Sequence, residues 1–238
     1  MADMRINAII WDYDGTLVDT RMKNFNVTKT IFSEIANGRQ VDYPALSSLE
    51  NYVKANERSS NWRELYRNEF GFGEKQIDYA GNLWTKYQLL DKTEVDLFEG
   101  IRDVVIKFGN YPQGIVSQNS SDNIKLFLER LDLIKYFSVV IGYEEVDLSK
   151  QKPNPQGLLA CISAISKLDT KPSVVYIGDH QTDVQCAFNA NYELKRKAVT
   201  SILVNHNSGS SSENWKYKPD HFVVNSNEII EIIQKTVK

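Results

Sequence analysis

The sequence predicts an α/β fold, a doubly wound parallel sheet carrying a helical insertion, and three observations predict it. Six short apolar runs are continuous instead of alternating, as in strands buried on both faces of a parallel sheet. Helical spacing fills the gaps between several of them. A long segment after the first run has helical spacing and no convincing strand pattern.

Ile6–Trp11 is the first strand. From about Val18 to Asp96 the apolar positions fall at helical spacing: Phe25, Ile31, Phe32 and Ile35; Leu46, Leu49 and Val53; Trp62, Leu65, Tyr66 and Phe70; then Tyr79, Leu83, Trp84 and Tyr87. Most of these are expected to form a core of their own. An insertion placed directly after the first strand is expected over the carboxyl edge of the sheet, as a lid where open α/β proteins bind ligands. The next strands are Gly114–Val116 and Val139–Ile141, separated by a helix with Ile124, Phe127, Leu128 and Leu131 on one face and Ser121 as its cap. Leu158, Leu159, Ile162 and Ile165 define another helix, with Asn154 and Pro155 suited to its N-cap and first turn. Val174–Ile177, Ile202–Val204 and Phe222–Val224 complete the sheet, and 206–219, with its Ser-Gly-Ser-Ser-Ser, is expected as a flexible loop. Residues 1–17 and 97–238 are thus expected to form the α/β core, and 18–96 a helical cap.

Composition narrows the function classes. With 238 residues, of which 42% are hydrophobic and 25% charged, the chain has enough apolar material for a core. Its net charge of −3 provides no field to gather nucleic acid or an anionic membrane, and the short Lys195-Arg196-Lys197 reads as a solvated face. No apolar run approaches the ~20 residues of a membrane span, and the first residues carry no signal-peptide pattern, so a cytoplasmic protein is expected. Cys161 and Cys186 form no Cys-x-x-Cys pair and read as reduced, buried thiols. Gly71-Phe72-Gly73 lacks the third glycine and preceding strand of a dinucleotide-binding turn.

The chemistry is written at the strand ends. Asp12 and Asp14 follow the first strand, Ser117 the second, and Asp179 the run Val174–Ile177. In a parallel sheet these carboxyl ends share one edge, so residues distant in sequence converge. Asp12 and Asp14, two apart in extended backbone, are expected to point to one side. Two carboxylates that close need a shared proton or a hard cation, and Asp179 with Asp183 favour the cation, Mg²⁺ suiting an all-oxygen set. Asp183 also reads as an ordinary acid in the first turn of a helix. Ser117, Gln118 and Asn119 offer hydroxyl and amide groups for phosphate oxygens, and Lys152, before the rigid Pro153-Asn154-Pro155, a cation for a transferring phosphoryl group.

Taken together, Asp12-Tyr13-Asp14-Gly15-Thr16, Ser117, Lys152 and Gly178-Asp179-His180-Gln181-Thr182-Asp183 resemble the four motifs of the haloacid dehalogenase superfamily, in order and in rough spacing. The resemblance covers essentially the whole chain, the helical cap included. It is greatest to the phosphoglycolate phosphatase and β-phosphoglucomutase branch, and implies a Rossmann-like core. It implies that Asp12 is a nucleophile forming an aspartyl-phosphate, and that Asp14 protonates the leaving oxygen and then activates water. It further implies Mg²⁺ held by the Asp12 carboxylate, the Asp14 carbonyl and Asp179 with Asp183 in support, and Ser117 and Lys152 on the phosphoryl oxygens. Many relatives have Asn directly after the Ser or Thr of the second motif, whereas Gln118 intervenes here before Asn119.

The expected function is therefore a Mg²⁺-dependent phosphatase acting on a small phosphorylated metabolite, with a monomer as the default state. A sugar phosphomutase using the same two aspartates is the alternative, and a non-catalytic binding protein on the same fold a more distant one. Lys54, Arg58 and Arg63 in the insertion are candidates for holding a substrate carboxylate or hydroxyl, against the plainer reading of solvent-facing charge. His180, beside Asp179, is given no role.

Overall fold

The computed structural model describes residues 6–37, 42–59, 61–166, 173–206 and 212–236. In chain order the elements are β1 (Ala8–Trp11), α1 (Arg21–Ile35), α2 (Leu49–Arg58), α3 (Trp62–Asn68), α4 (Glu74–Leu90), α5 (Ile101–Lys107), β2 (Gln113–Val116), α6 (Ser121–Arg130), β3 (Phe137–Ile141), α7 (Gln156–Ile165), β4 (Val174–Gly178), α8 (Gln181–Glu193), β5 (Val199–Val204), β6 (His221–Val223) and α9 (Ser226–Thr236), joined by loops and short 3₁₀ turns. The chain divides into two compact units, Met1–Val18 with Leu97–Lys238, and Asp19–Asp96.

In the first unit six parallel strands form one sheet in the order β3-β2-β1-β4-β5-β6. The chain runs outward from β1 through β2 to β3, then returns to the other side of β1 and runs outward again from β4. The order reverses between β1 and β4, which is where such sheets open a crevice at their carboxyl ends. Register places Trp11 beside Ile177, and the Asp12 N–H donates to the Ile177 carbonyl at 2.8 Å. The residues after β1 and β4 are thereby neighbours.

The continuous apolar strands are buried as a two-sided parallel sheet requires: β1, β2, β4 and β5 are buried throughout. Ala8, Ile10, Val116 and Tyr176 pack with Leu158, Cys161 and Ile162 of α7 and with Cys186, Ala187 and Ala190 of α8. Gly114 is required because a Cβ there would strike the Cys161 sulfur. Several strands reach further than their apolar runs, two of them with buried polar residues. Gln113 opens β2 inside the core, accepting from the Trp11 indole N–H at 2.9 Å and donating to the Val105 carbonyl at 2.9 Å. Val199, Thr200 and Ser201 open β5, the Ser201 hydroxyl donating to Asp220 at 3.0 Å.

Capping differs from expectation in two places. Ser121 does not cap α6; its N–H donates to Glu144 and its hydroxyl to Glu145, so two acids of the following turn close the helix start. Pro155, not Asn154, stands at the N-cap of α7, and Asn154 one residue before it accepts the Gln156 N–H at 3.0 Å. Of the loop expected at 206–219, residues 207–211 lie outside the described residues, and 212–220 runs through turns and bends. Cys161 and Cys186 are buried and unbridged.

The second unit is helical throughout and begins and ends on one hydrogen bond, from the Asp19 N–H to the Asp96 carbonyl. Its core is aromatic: the Phe32 ring meets Tyr43, Tyr66, Phe70 and Phe72 at centroid distances of 4.6–5.2 Å, the two closest being Phe70 and Phe72 at 4.6 Å. Tyr79, expected in that core, is 47% exposed and donates its hydroxyl to Glu34, since it lies off the face of α4 that Ile77 and Ala80 bury. Lys54 pairs with Glu50, Arg58 with Glu69, and Arg63 with both Glu74 and Asp78, so the three cations expected at a substrate are each neutralised within this unit. Phe32→Ala is expected to destabilise this unit by about 3–5 kcal/mol, by lost transfer and by the cavity left among four rings. Urea unfolding followed by aromatic fluorescence measures it.

Candidate active site

Four segments build the site. Asp12 leaves β1, Ser117 leaves β2, Lys152 precedes α7, and Asp179 leaves β4 ahead of Asp183 in the first turn of α8. Carboxylate oxygens of Asp12, Asp179 and Asp183 all lie within 4.8 Å of one another. Two glycines make that density possible. Gly15 adopts φ +74°, and a Cβ on it would collide with the Asp179 carboxylate; one on Gly178 would collide with Asp183. The turn through Gly15 needs a left-handed conformation, and both positions need an absent side chain.

Lys152 is the cation among these acids. Its ammonium donates to Asp12 Oδ1 and to Asp183 Oδ1, each at 2.7 Å, and it is only 8% exposed. Burial works against that charge, but Asp12 and Asp183 outweigh it, and the Lys152 pKa stands above the ordinary lysine value. The acids are short of positive charge. Burial pushes Asp12 up to about 7, opposed by Lys152 and helped by Asp183 and Asp14. Burial, then Asp12 and Asp183, push Asp179 well above the usual carboxylate range.

Asp14 is held from the loop after β2. Its two oxygens accept from the Asn119 amide, each at 3.0 Å. Asp14 bridges to Val18 as the chain enters the Gly15 turn, and its charge still acts on Asp12 and Asp179. The Asn119 carboxamide oxygen accepts from Ser120 N–H at 2.7 Å and from Asn123 at 3.3 Å, so this side chain, expected at a phosphate, is spent on orienting Asp14 and closing the start of α6. Gln118 donates to the Lys152 carbonyl at 3.4 Å. Ser117, buried beside them, accepts the Asn119 N–H at 3.1 Å.

Asp183 caps its helix and also faces the acidic cluster. Its Oδ2 accepts the His180 N–H at 3.1 Å, a helix-capping bond, while Oδ1 faces Lys152. The His180 ring turns to Thr182, with Nδ1 3.0 Å from the hydroxyl, and burial lowers its pKa. Tyr176 is a site residue that the sequence reading missed: its hydroxyl donates to Asp183 Oδ1 at 2.8 Å. Within the run Val-Val-Tyr-Ile it reads as one more apolar strand residue.

The arrangement fits a hard divalent cation. Three carboxylates crowd one point with a single ammonium between two of them, and the raised pKa values of Asp12 and Asp179 record their burial first and then their mutual repulsion. An all-oxygen donor set of this charge suits Mg²⁺ chemistry.

Comparison with known proteins agrees with this geometry. The chain is 29% identical over 196 residues to the pyrophosphatase PpaX of Listeria monocytogenes, covering 78% of this chain and 80% of that one. It is 25% identical over 200 residues to the phosphoglycolate phosphatase of Escherichia coli, covering 76% and 77%. Among solved structures, a haloacid dehalogenase-like hydrolase from Bacteroides fragilis superposes with a TM-score of 0.74 at 20% identity, over 94% of this chain and 100% of that one. No helix among the described residues is long and apolar enough to cross a membrane. The family model described as haloacid dehalogenase-like hydrolase matches residues 9–195, a span that holds Asp12, Ser117, Lys152, Asp179 and Asp183 alike, and the chain belongs to that family.

Proposed function

We propose that this protein is a Mg²⁺-dependent phosphatase that cleaves a small phosphorylated metabolite through an aspartyl-phosphate on Asp12. The observation that carries the reading is the buried Asp12 carboxylate at the β1–β4 reversal, held by Lys152 and crowded by Asp179 and Asp183. The relatives named phosphoglycolate phosphatase and pyrophosphatase support a phosphoryl group as the point of attack.

A carboxylate oxygen of Asp12 forms a bond to phosphorus while the bond to the leaving oxygen breaks, and Asp14 delivers a proton to that oxygen. Asp14 then takes a proton from water, whose oxygen attacks phosphorus, releasing inorganic phosphate and restoring Asp12. One difficult displacement becomes two easier ones, with a single carboxyl serving as acid and then base. Ser117 and Lys152 hold the phosphoryl oxygens. The Asp12 and Asp179 carboxylates and the Asp14 carbonyl hold Mg²⁺, with Asp183 behind them. When bound, the ion supplies the positive charge that offsets repulsion between Asp12 and an anionic ester. The helical unit, inserted between Val18 and Leu97, is the part assigned to choosing the leaving group.

The test is inorganic phosphate release from a panel containing phosphoglycolate, pyrophosphate, sugar phosphates and nucleotides, with and without Mg²⁺. Magnesium-dependent turnover of at least one supports the reading. Transfer of the phosphoryl group between positions of a sugar, with no phosphate released, replaces it with the mutase.

Two further outcomes follow from the site. Asn119→Ala releases Asp14 from its two hydrogen bonds and is expected to lower kcat about tenfold or more while leaving KM within twofold, since it disturbs the acid and base and not the binding groups. Magnesium is expected to raise the melting temperature more at about pH 8 than at about pH 5. An acid whose folded pKa is raised binds its proton more tightly in the folded state. The metal-free protein therefore loses stability as pH rises from the ordinary carboxylate value of 3.8 towards about 7, where Asp12 ionises, and the ion restores it above that window.

A further inference from the structure

We propose that Tyr176 is a positioning residue for the reaction: through its hydroxyl it fixes Asp183, and through Asp183 it holds the Lys152 ammonium on Asp12. The proposal rests on the phosphatase reading above and adds to it a residue that no motif of the family resemblance contains.

Tyr176 lies in the middle of β4, 1% exposed, with its ring in the core between the sheet and helices α7 and α8. Its hydroxyl donates to Asp183 Oδ1 at 2.8 Å. The same oxygen accepts from Lys152 Nζ at 2.7 Å, and Lys152 Nζ reaches Asp12 Oδ1 at 2.7 Å. The other Asp183 oxygen accepts the His180 N–H. Asp183 is thus tied from three directions: by β4, by the segment before α7, and by the start of its own helix.

These ties decide where the ammonium sits. Lys152 is shared by two carboxylates at equal distance, so a shift of either one draws it away from the other. A neutral hydroxyl fixes the Asp183 oxygen without bringing a second charge, and it takes up part of the acceptor capacity that would otherwise pull on Lys152. A buried tyrosine hydroxyl needs some partner. The Val116 carbonyl, 3.5 Å away, is a partner that a purely structural role would use equally well. The hydroxyl instead makes its short bond to the carboxylate that orders the site.

Tyr176→Phe keeps the ring and removes only the O–H. For the ester turned over best in the panel, kcat is expected to fall about ten- to a hundredfold with KM within twofold, the cost of a slightly misplaced catalytic group. In an Asp183→Asn background the same substitution is expected to change kcat less than twofold, because the route to Lys152 is already broken. The side-chain nitrogen resonance of Lys152, measured without any ester, is expected to move in Tyr176→Phe. A native kcat in Tyr176→Phe, an equal loss in both backgrounds, or a loss carried by KM overturns the proposal. So does an unmoved Lys152 resonance, which also decides the matter if no ester in the panel is turned over and the activity reading itself has failed.

Discussion

Asp12→Asn is expected to remove magnesium-dependent phosphate release, lowering kcat by at least about three orders of magnitude, without unfolding the protein. The substitution preserves shape and replaces one carboxylate oxygen with an amide nitrogen that cannot form the acyl phosphate. Its effect on stability has the opposite sign. Burial and the neighbouring acids raise the Asp12 pKa to about 7, so at pH 8 the ionised carboxylate strains the metal-free fold. A neutral amide relieves that strain, while Lys152 keeps its bond to Asp183. The variant without metal is therefore expected to melt at or above the native temperature, and to gain less from added Mg²⁺. Parallel melting curves and phosphate-release assays measure both halves. A trade of stability for activity is what a site built from crowded charges should show.

Lys152→Met is expected to act in the reverse direction on stability. It leaves the Asp12 and Asp183 carboxylates buried without the ammonium they share, and breaking a buried ion pair by removing one partner costs about 3–5 kcal/mol. The linkage is simple: the folded Lys152 pKa stands above the ordinary 10.5, so its contribution is complete at every pH below that value and is lost only as pH rises through the folded pKa. The full cost should thus appear in urea unfolding at neutral pH without metal. Magnesium should recover part of the stability but little of the turnover, because the ammonium is also the group assigned to the transferring phosphoryl oxygens. Stability and activity that both survive the substitution would remove Lys152 from the account.

Much of this was legible in the sequence, for a physical reason. Strands covered on both faces must be apolar throughout, and in a parallel sheet their carboxyl ends share an edge, so Asp12, Ser117 and Asp179 identified themselves by following such runs. The rest was hidden where side chains contradict their surroundings. Gln113 and Ser201 are polar yet buried in strands, because Trp11, Val105 and Asp220 satisfy them. Helix α5 spans seven residues, and Ile101, Val104 and Val105 give too few turns to establish a period, whereas α9 carries Ile229 and Ile233 at helical spacing and was legible. Asn119 meets Asp14 across the sheet edge, a pairing 105 residues apart that spacing along one strand does not reveal. Arg58 and Arg63 meet Glu69, Glu74 and Asp78 on neighbouring helices, which spacing along one helix does not reveal. Tyr176 was concealed by being a good strand residue.

The claim on which all of this turns is the covalent step at Asp12. Mixing the protein and Mg²⁺ with an ester carrying a radiolabelled phosphoryl group, quenching in acid within the first turnover and mapping the label by peptide tests it most directly. The account predicts a hydroxylamine-sensitive label on the peptide that contains Asp12, absent from Asp12→Asn and accumulating in Asp14→Asn, where water is no longer activated. Steady turnover by the native protein with no label on that peptide, and undiminished turnover by Asp12→Asn, would contradict it.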